Sequence, residues 1–229
     1  MDIMSKWERF KAKSNWHFDT TREPKIGKDS FWFVHKFELD FSEDIKECAN
    51  RTQPSRLLEV THFPEHTVES PSQQYLEEKL DFDCANIDSN RIAYEKVTVS
   101  DIENFKKIEE YLGLEQATLR FHNQRPGQIV MEHIDSFSTL AKLRDFSHDP
   151  SIVRRFIIFL DDWHLGQLLT FGNATLTRWK RGDCITWEWQ DIPHSTVNTG
   201  WNDRPILQIT GFVTNKTKTL LKESISRFE

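Results

Sequence analysis

A chain of 229 residues, 37% apolar and 29% charged, is long enough to bury the core of one large β or α/β domain. Its net charge of −6 argues against non-specific nucleic-acid or anionic-membrane binding as the main task, because both need a basic field. No apolar run approaches the roughly 20 residues that span a bilayer, and the opening MDIMSKWERFKAKSNW lacks the apolar stretch of a signal peptide.

Three widely spaced cysteines, Cys48, Cys84 and Cys184, form no CxxC pair. Reduced thiols in a cytoplasmic protein are expected. No repeat, low-complexity tract or linker divides the chain, so residues 1–229 are read as one domain. Its parts are an α/β flanking region (1–115), a β core (116–215) and a C-terminal tail (216–229).

Residues 30–39 and 56–62 read as strands and 71–80 as a polar helix. The strongest helix signal covers 101–112. Ser100 and Glu103 make an S-x-x-E capping box, Ile102, Phe105, Ile108 and Tyr111 recur at helical spacing, and Gly113 marks the stop. Short β-like runs follow at 117–122, 128–133, 154–161, 166–171, 174–179, 183–189, 194–199 and 205–213. Pro126-Gly127, Gly172-Asn173, Arg181-Gly182-Asp183 and Gly200-Trp201-Asn202-Asp203 punctuate them. Eight short strands with one longer connection, about 136–153, suit a mainly β fold with flanking helices: a double-stranded β-helix, or jelly roll, of cupin-like type. An immunoglobulin-like sandwich is the rival, but it gives no reason for the polar residues that follow.

His133-Ile134-Asp135 closes the second of these runs, and strand alternation sends both outer residues to one side. His194 opens the seventh run, sixty-one residues after His133, and in a jelly roll the second and seventh strands are neighbours. Two histidines and one carboxylate on one face of a metal leave three positions open, the arrangement of non-haem Fe(II) oxygenases. A lone HxD is weak. The chain holds another at His17-Phe18-Asp19, which has no partner at jelly-roll spacing and reads as surface. A core histidine satisfied by Asp135 is the bland alternative for His133.

Arg204 shifts that balance. It lies ten residues after His194, at the start of the last run. A 2-oxoglutarate chelating iron must place its distal carboxylate deeper in the barrel, where burial is costly unless a guanidinium fork meets it.

The stretch from PGQIVMEHID through RRFIIFLDDWHLGQLLTFGNATLTRWKRGDCITWEWQDIPHSTVNTGWNDRPILQITGF resembles the 2-oxoglutarate/Fe(II) oxygenase superfamily, over about residues 117–213. It is similar in style to the aspartyl/asparaginyl and prolyl hydroxylase branches, including small phage-encoded members. The resemblance implies His133, Asp135 and His194 as iron ligands, Arg204 as the 2-oxoglutarate anchor, and Fe(II), 2-oxoglutarate and O2 as cofactor and co-substrates. It further implies decarboxylation to succinate and CO2 coupled to hydroxylation of a substrate C–H, with no side chain needed as general acid or base.

One departure from the family pattern is Ile206, where many members carry a Ser or Thr that helps to hold the distal carboxylate. Gln208 and Thr210 share the face of Arg204, so another residue is expected to supply that hydrogen bond. Asn198, on the face of His194, is a candidate lining residue or a turn stabiliser. Substrate contacts are expected near the end of the first strand of the core and the start of the third. Arg120, His122 and Arg155 are the candidates there, with Asn123 and Gln124 nearby, against a plain reading as ordinary polar residues facing solvent. Arg178, Lys180 and Arg181 read as a solvated hairpin end, and the tryptophans at 163, 179, 187, 189 and 201 as core and rim packing.

The expected partner is an amino-acid or peptide substrate, with nucleic acid disfavoured, no membrane, and an oligomeric state the sequence leaves open. Two other readings stand beside this one. The same iron chemistry could act on a nucleobase or small metabolite, or the chain could be a cupin-like binding module without redox chemistry.

Overall fold

Alternation of apolar and polar residues between sharp turns produces two β layers. The computed structural model describes residues 31–55, 94–135, 137–146, 149–172, 174–189 and 192–226. The expected strand 56–62, the helix 71–80, His17-Phe18-Asp19 and Cys84 lie outside them. In chain order the strands are β1 (Trp32–Lys36), β2 (Gln53–Ser55), β3 (Tyr94–Thr98), β4 (Glu115–Gln124), β5 (Ile129–His133), β6 (Val153–Phe159), β7 (Gln167–Phe171), β8 (Ala174–Leu176), β9 (Asp183–Thr186), β10 (His194–Asn198) and β11 (Arg204–Phe212). Helices α1 (Ser42–Ala49), α2 (Glu103–Leu112), α3 (Ser138–Ala141) and α4 (Asn215–Ser226) flank them.

The eight strands β4 to β11 form a jelly roll. One sheet runs β5-β10-β7-β8, and the other contains β9-β6-β11-β4 in that order. All the pairings are antiparallel. This is the cupin-like fold expected from the eight runs. The larger sheet grows to seven strands because β1 pairs with β9 at one edge while β3 and β2 extend it beyond β4 at the other. Residues before 115 therefore contribute strands to the sheet as well as covering it.

Two apolar clusters sit on the two faces of this larger sheet. Phe156, Ile158, Leu207 and Ile209 point outward onto Phe105, Ile108 and Leu112 of α2 and Phe41 beside α1. Phe159, Ile185 and Ile206 point inward, where they meet Leu169, Phe171, Trp179 and Trp187. Burial on both faces explains why β11 reads as the near-continuous run PILQITGF. The thiols of Cys48 and Cys184 are buried and unpaired, and burial pushes that of Cys48 up to about 12, so both stay protonated and inert. No described helix is long and apolar enough to cross a membrane.

Three local expectations are corrected. Helix α2 begins at Glu103 with Ile102, extended, as its N-cap and no side-chain cap. Glu103 is thus the first helical residue, and Ser100 lies too far upstream to close a capping box. Burial of Ile102 in the core fixes the start instead. Gly113 does end the helix, in the left-handed conformation with φ of 68°. The run 183–189 leaves the sheet after Thr186, because Trp187 and Trp189 turn into the core. Of the expected tail, 216–229, the described residues 216–226 lie in α4, whose Thr217 hydroxyl donates to the carbonyl of Leu112 at 2.9 Å.

Gly182, just before β9, has φ of +85°, and a Cβ there would fall 2.0 Å from the carbonyl oxygen of Phe37. The close approach lets Phe37 N–H donate to Gly182 O at 2.9 Å, stitching the β1 edge to the barrel. Gly182→Ala is expected to lower unfolding free energy by about 3 kcal/mol in urea denaturation, from positive φ and backbone overlap together. A change below about 0.5 kcal/mol would show that the turn relaxes freely.

Candidate metal centre and cavity

Cross-strand pairing of β10 with β5 sets His194 opposite His133. Their rings lie 4.3 Å apart, and Asp135, two residues past His133, closes the group. His133 Nε2 is 3.9 Å from Asp135 Oδ1 and His194 Nε2 is 3.6 Å from Asp135 Oδ2. One donor atom from each residue falls within 4.8 Å of the others, so the triad can hold a metal ion.

Two details fit a metal better than a self-satisfied core triad. Asp135 Oδ2 is buried without a hydrogen bond, and such an orphan acceptor is costly unless something occupies it. His194 Nδ1 faces the carbonyl of Ile192 at 3.4 Å, and a carbonyl only accepts. The proton therefore sits on Nδ1, leaving the Nε2 lone pair aimed into the cluster. Burial lowers the pKa of His194 to about 4, which keeps it neutral and ligand-competent at ordinary pH.

Asp135 is held from behind by Arg155, whose Nη1 donates to Oδ1 at 2.6 Å while Nε donates to Thr210 Oγ1 at 2.9 Å. The guanidinium lies 4.3 Å over the ring of Phe137. Phe137 has φ of 44°, an unusual conformation for an aromatic residue, and its ring packs 4.4 Å from Trp189. Arg155, expected as a substrate contact, thus has two of its nitrogens committed to Asp135 and Thr210. Strand alternation points Arg155 inward, and the approach of the two sheets sets the carboxylate it meets.

A cavity of about 370 Å³ opens beside the triad between the two sheets. Alternate residues of β4 (Thr118, Arg120, His122, Gln124) and β11 (Arg204, Ile206, Gln208, Thr210) line it. Arg120, His122, Arg204 and Gln208 therefore face one space with the triad. Asn123 points away and donates to Asp203 Oδ2 at 2.7 Å.

Arg204 is 4% exposed. Nη2 donates to Thr196 Oγ1 at 2.8 Å and Nη1 to the carbonyl of Leu168 at 3.3 Å, while Nε is buried without an acceptor. Among the described residues no carboxylate pairs with it, and burial alone pulls its pKa down to about 9. An uncompensated buried guanidinium is a site prepared for an anion.

Asn198 departs from the lining role. Its Nδ2 donates to Gln124 O and Asn202 O, both at 2.8 Å, and its Oδ1 accepts from Gly200 N–H. Every polar atom is spent on backbone at the turn before β11, so it stabilises the turn and lies outside the cavity. The hydroxyl beside Arg204 is that of Thr196, which accepts from Arg204 Nη2 and donates to Gln124 Oε1 at 3.0 Å. Thr196 lies two residues after His194, so alternation alone could have found it. Lys96 and Tyr94, which also line the cavity, had no such signal, because the pairing of β3 with β4 is not legible locally.

Two of the three cations at the hairpin end, Lys180 and Arg181, have carboxylate neighbours. Lys180 lies 3.6 Å from Asp162, and Arg181 lies 3.6 Å from Asp40. Trp179, Trp187 and Trp189 are buried in the core, Trp163 packs against it, and Trp201 is fully at the surface.

His122 is buried and stacked on Tyr94 at 4.3 Å. Desolvation, then Arg155, Arg120 and Lys96, push its pKa well below the usual histidine value, so it is neutral in the fold. An unfolded histidine takes up a proton near pH 6.5, so the contribution is full above that pH and is lost as pH falls below it. His122→Gln is expected to flatten the decline in unfolding free energy between pH 7 and 5, by up to about 1.4 kcal/mol per pH unit. Equal slopes for both proteins would rule this out.

No protein-family model matches the chain, and no curated protein is similar to it in sequence. Its likeness is to solved cupin structures. A cupin-superfamily sugar phosphate isomerase from Silicibacter pomeroyi is 12% identical with a TM-score of 0.34, over 52% of this chain and 59% of that one. A cupin domain from Bordetella pertussis is 12% identical with a TM-score of 0.31, over 52% and 94%. A cupin barrel protein from Salinispora arenicola is 10% identical with a TM-score of 0.32, over 58% and 86%. The strand order of the two sheets makes the chain a cupin-like jelly roll, and its mouth carries a His–Asp–His group able to hold a metal ion.

Proposed function

We propose that the protein is an Fe(II)- and 2-oxoglutarate-dependent oxygenase that hydroxylates an amino-acid side chain, free or within a peptide. The observation that carries this reading is the buried Arg204, paired with no carboxylate among the described residues, in the same cavity as the His133–Asp135–His194 triad. A metal site alone suits many reactions. A metal site facing a buried unpaired guanidinium suits a ligand with a chelating end and a distant carboxylate, which is the shape of 2-oxoglutarate.

When bound, iron with 2-oxoglutarate and O2 supplies the oxidation, which yields succinate and CO2 and places one oxygen atom in a substrate C–H bond. The chain's own residues do the rest. His133, Asp135 and His194 would occupy one face of the metal and leave the other to ligands. Arg204, fixed by Thr196 and Leu168, would receive the distal carboxylate and set the orientation of the co-substrate. Ile206, Ile157 and Trp187 line the same space with apolar surface and exclude water from it.

The test is anaerobic titration of metal-free protein with Fe(II) and 2-oxoglutarate, followed by visible absorbance. A charge-transfer band is expected with 2-oxoglutarate, absent with glutarate, which lacks the keto group, and abolished by competing Zn(II). Tight Zn(II) binding with no band under any condition would overturn the reading and leave a metal-binding cupin of another kind.

A further inference from the structure

The cavity carries more positive charge than one co-substrate can use. Lys96, Arg120, Arg155 and Arg204 all line it, and Asp135 is the one carboxylate among the described residues that do. If the site is read as above, a metal dication, Asp135, Arg204 and doubly charged 2-oxoglutarate cancel one another. Arg155 remains hydrogen-bonded to Asp135. Lys96 and Arg120 are left over.

These two residues share one wall. Lys96 pairs with His122 and Thr98 with Arg120 across the antiparallel β3–β4 ladder, so Lys96 and Arg120 are diagonal neighbours on one face. Among the described residues the side chain of neither makes a hydrogen bond or an ion pair. The acid next to Lys96 in sequence, Glu95, faces away and is taken by Arg125 at 2.9 Å. Partial burial and the charge of Arg120 both lower the pKa of Lys96, the mark of two cations held together without a counter-ion. Tyr94, stacked on neutral His122, floors the same wall with an aromatic surface.

We propose that Arg120 and Lys96 form a second anion site that receives a carboxylate of a small substrate, distinct from the co-substrate carboxylate at Arg204. A guanidinium fork meets a carboxylate bidentately and an ammonium adds a point charge beside it. The two cations sit on the inner wall of a cavity of about 370 Å³, so the ligand is a small acid that shares this space with the co-substrate. The assignment rests on the oxygenase reading and narrows it to acidic substrates, such as amino acids bound through a carboxylate.

The experiment is calorimetric titration of Zn(II)-loaded, 2-oxoglutarate-saturated protein with L-glutamate, L-aspartate and succinate. Succinamide serves as the neutral control, and inorganic phosphate and AMP as phosphate probes. At least one carboxylate is expected to bind, with Kd raised tenfold or more in Arg120→Gln and in Lys96→Gln. The Kd for 2-oxoglutarate should move less than twofold in both. Arg120→Lys, which keeps the charge, should recover part of the affinity, unlike a folding defect. The proposal is overturned if no carboxylate binds, or if binding ignores both substitutions. It is equally overturned if 2-oxoglutarate affinity falls tenfold in Arg120→Gln, or if only the phosphate probes bind. Failure of the oxygenase reading shows separately, as no Fe(II)–2-oxoglutarate band in the wild type. The same titration of metal-free protein would then still report whether carboxylate binding depends on Arg120.

Discussion

Arg204→Met is expected to raise the Kd for 2-oxoglutarate about 100-fold or more and, at the same time, to stabilise the ligand-free protein. The two effects share a cause. A buried guanidinium with only neutral partners and an orphan Nε is a poor way to fill a core position. Replacing it with an apolar side chain beside Ile206 removes that cost, a gain of about 1–3 kcal/mol when buried charge is exchanged for packing. Thr196 keeps its donor bond to Gln124 after the change, so its hydroxyl is not stranded. With ligand bound, the balance reverses, because loss of one partner of a buried charge pair costs about 2–5 kcal/mol. Chelate titration and urea denaturation of wild type and variant measure the two sides. Unchanged 2-oxoglutarate affinity would remove Arg204 from the co-substrate site, whatever the stability result.

The barrel was legible because its strands are short and separated by turns that glycine, proline and asparagine announce. Strand order then followed from the architecture, and with it the meeting of His133 and His194 across β5 and β10. What the sequence hid is of two kinds. Some features were locally readable but outcompeted. In α4, Thr217, Leu221 and Ser224 are buried at helical spacing, yet the polar run NKTKTLLKES reads as a tail. Alternation puts Asn198 on the face of His194, but its amide goes to the turn, because buried backbone groups at that turn need partners more than the cavity does. Other features are tertiary. Lys96 meets Arg120 only through the β3–β4 ladder, and the link from Arg155 to Asp135 joins β6 of one sheet to the segment that follows β5 of the other. Alternation says that such residues point inward, but not which partner each one finds.

That hidden link between Arg155 and Asp135 predicts a metal-dependent stability effect. Both side chains are nearly buried, 12% and 10% exposed, and their bond is 2.6 Å long. Arg155→Met leaves the Asp135 carboxylate without its cation, and a broken buried pair costs about 3–5 kcal/mol. The methionine still covers the ring of Phe137, so lost packing is the smaller part. A dication bound by His133, Asp135 and His194 supplies the missing positive charge from the other side of the same carboxylate. Urea denaturation is therefore expected to show a loss of about 3 kcal/mol in metal-free variant and a clearly smaller loss with Zn(II) bound. By linkage, the variant should take up Zn(II) more tightly than wild type, since part of the binding energy relieves a strain that wild type never carries. Equal losses with and without Zn(II) would mean that the metal does not reach Asp135, and the triad would then be a core hydrogen-bonding group.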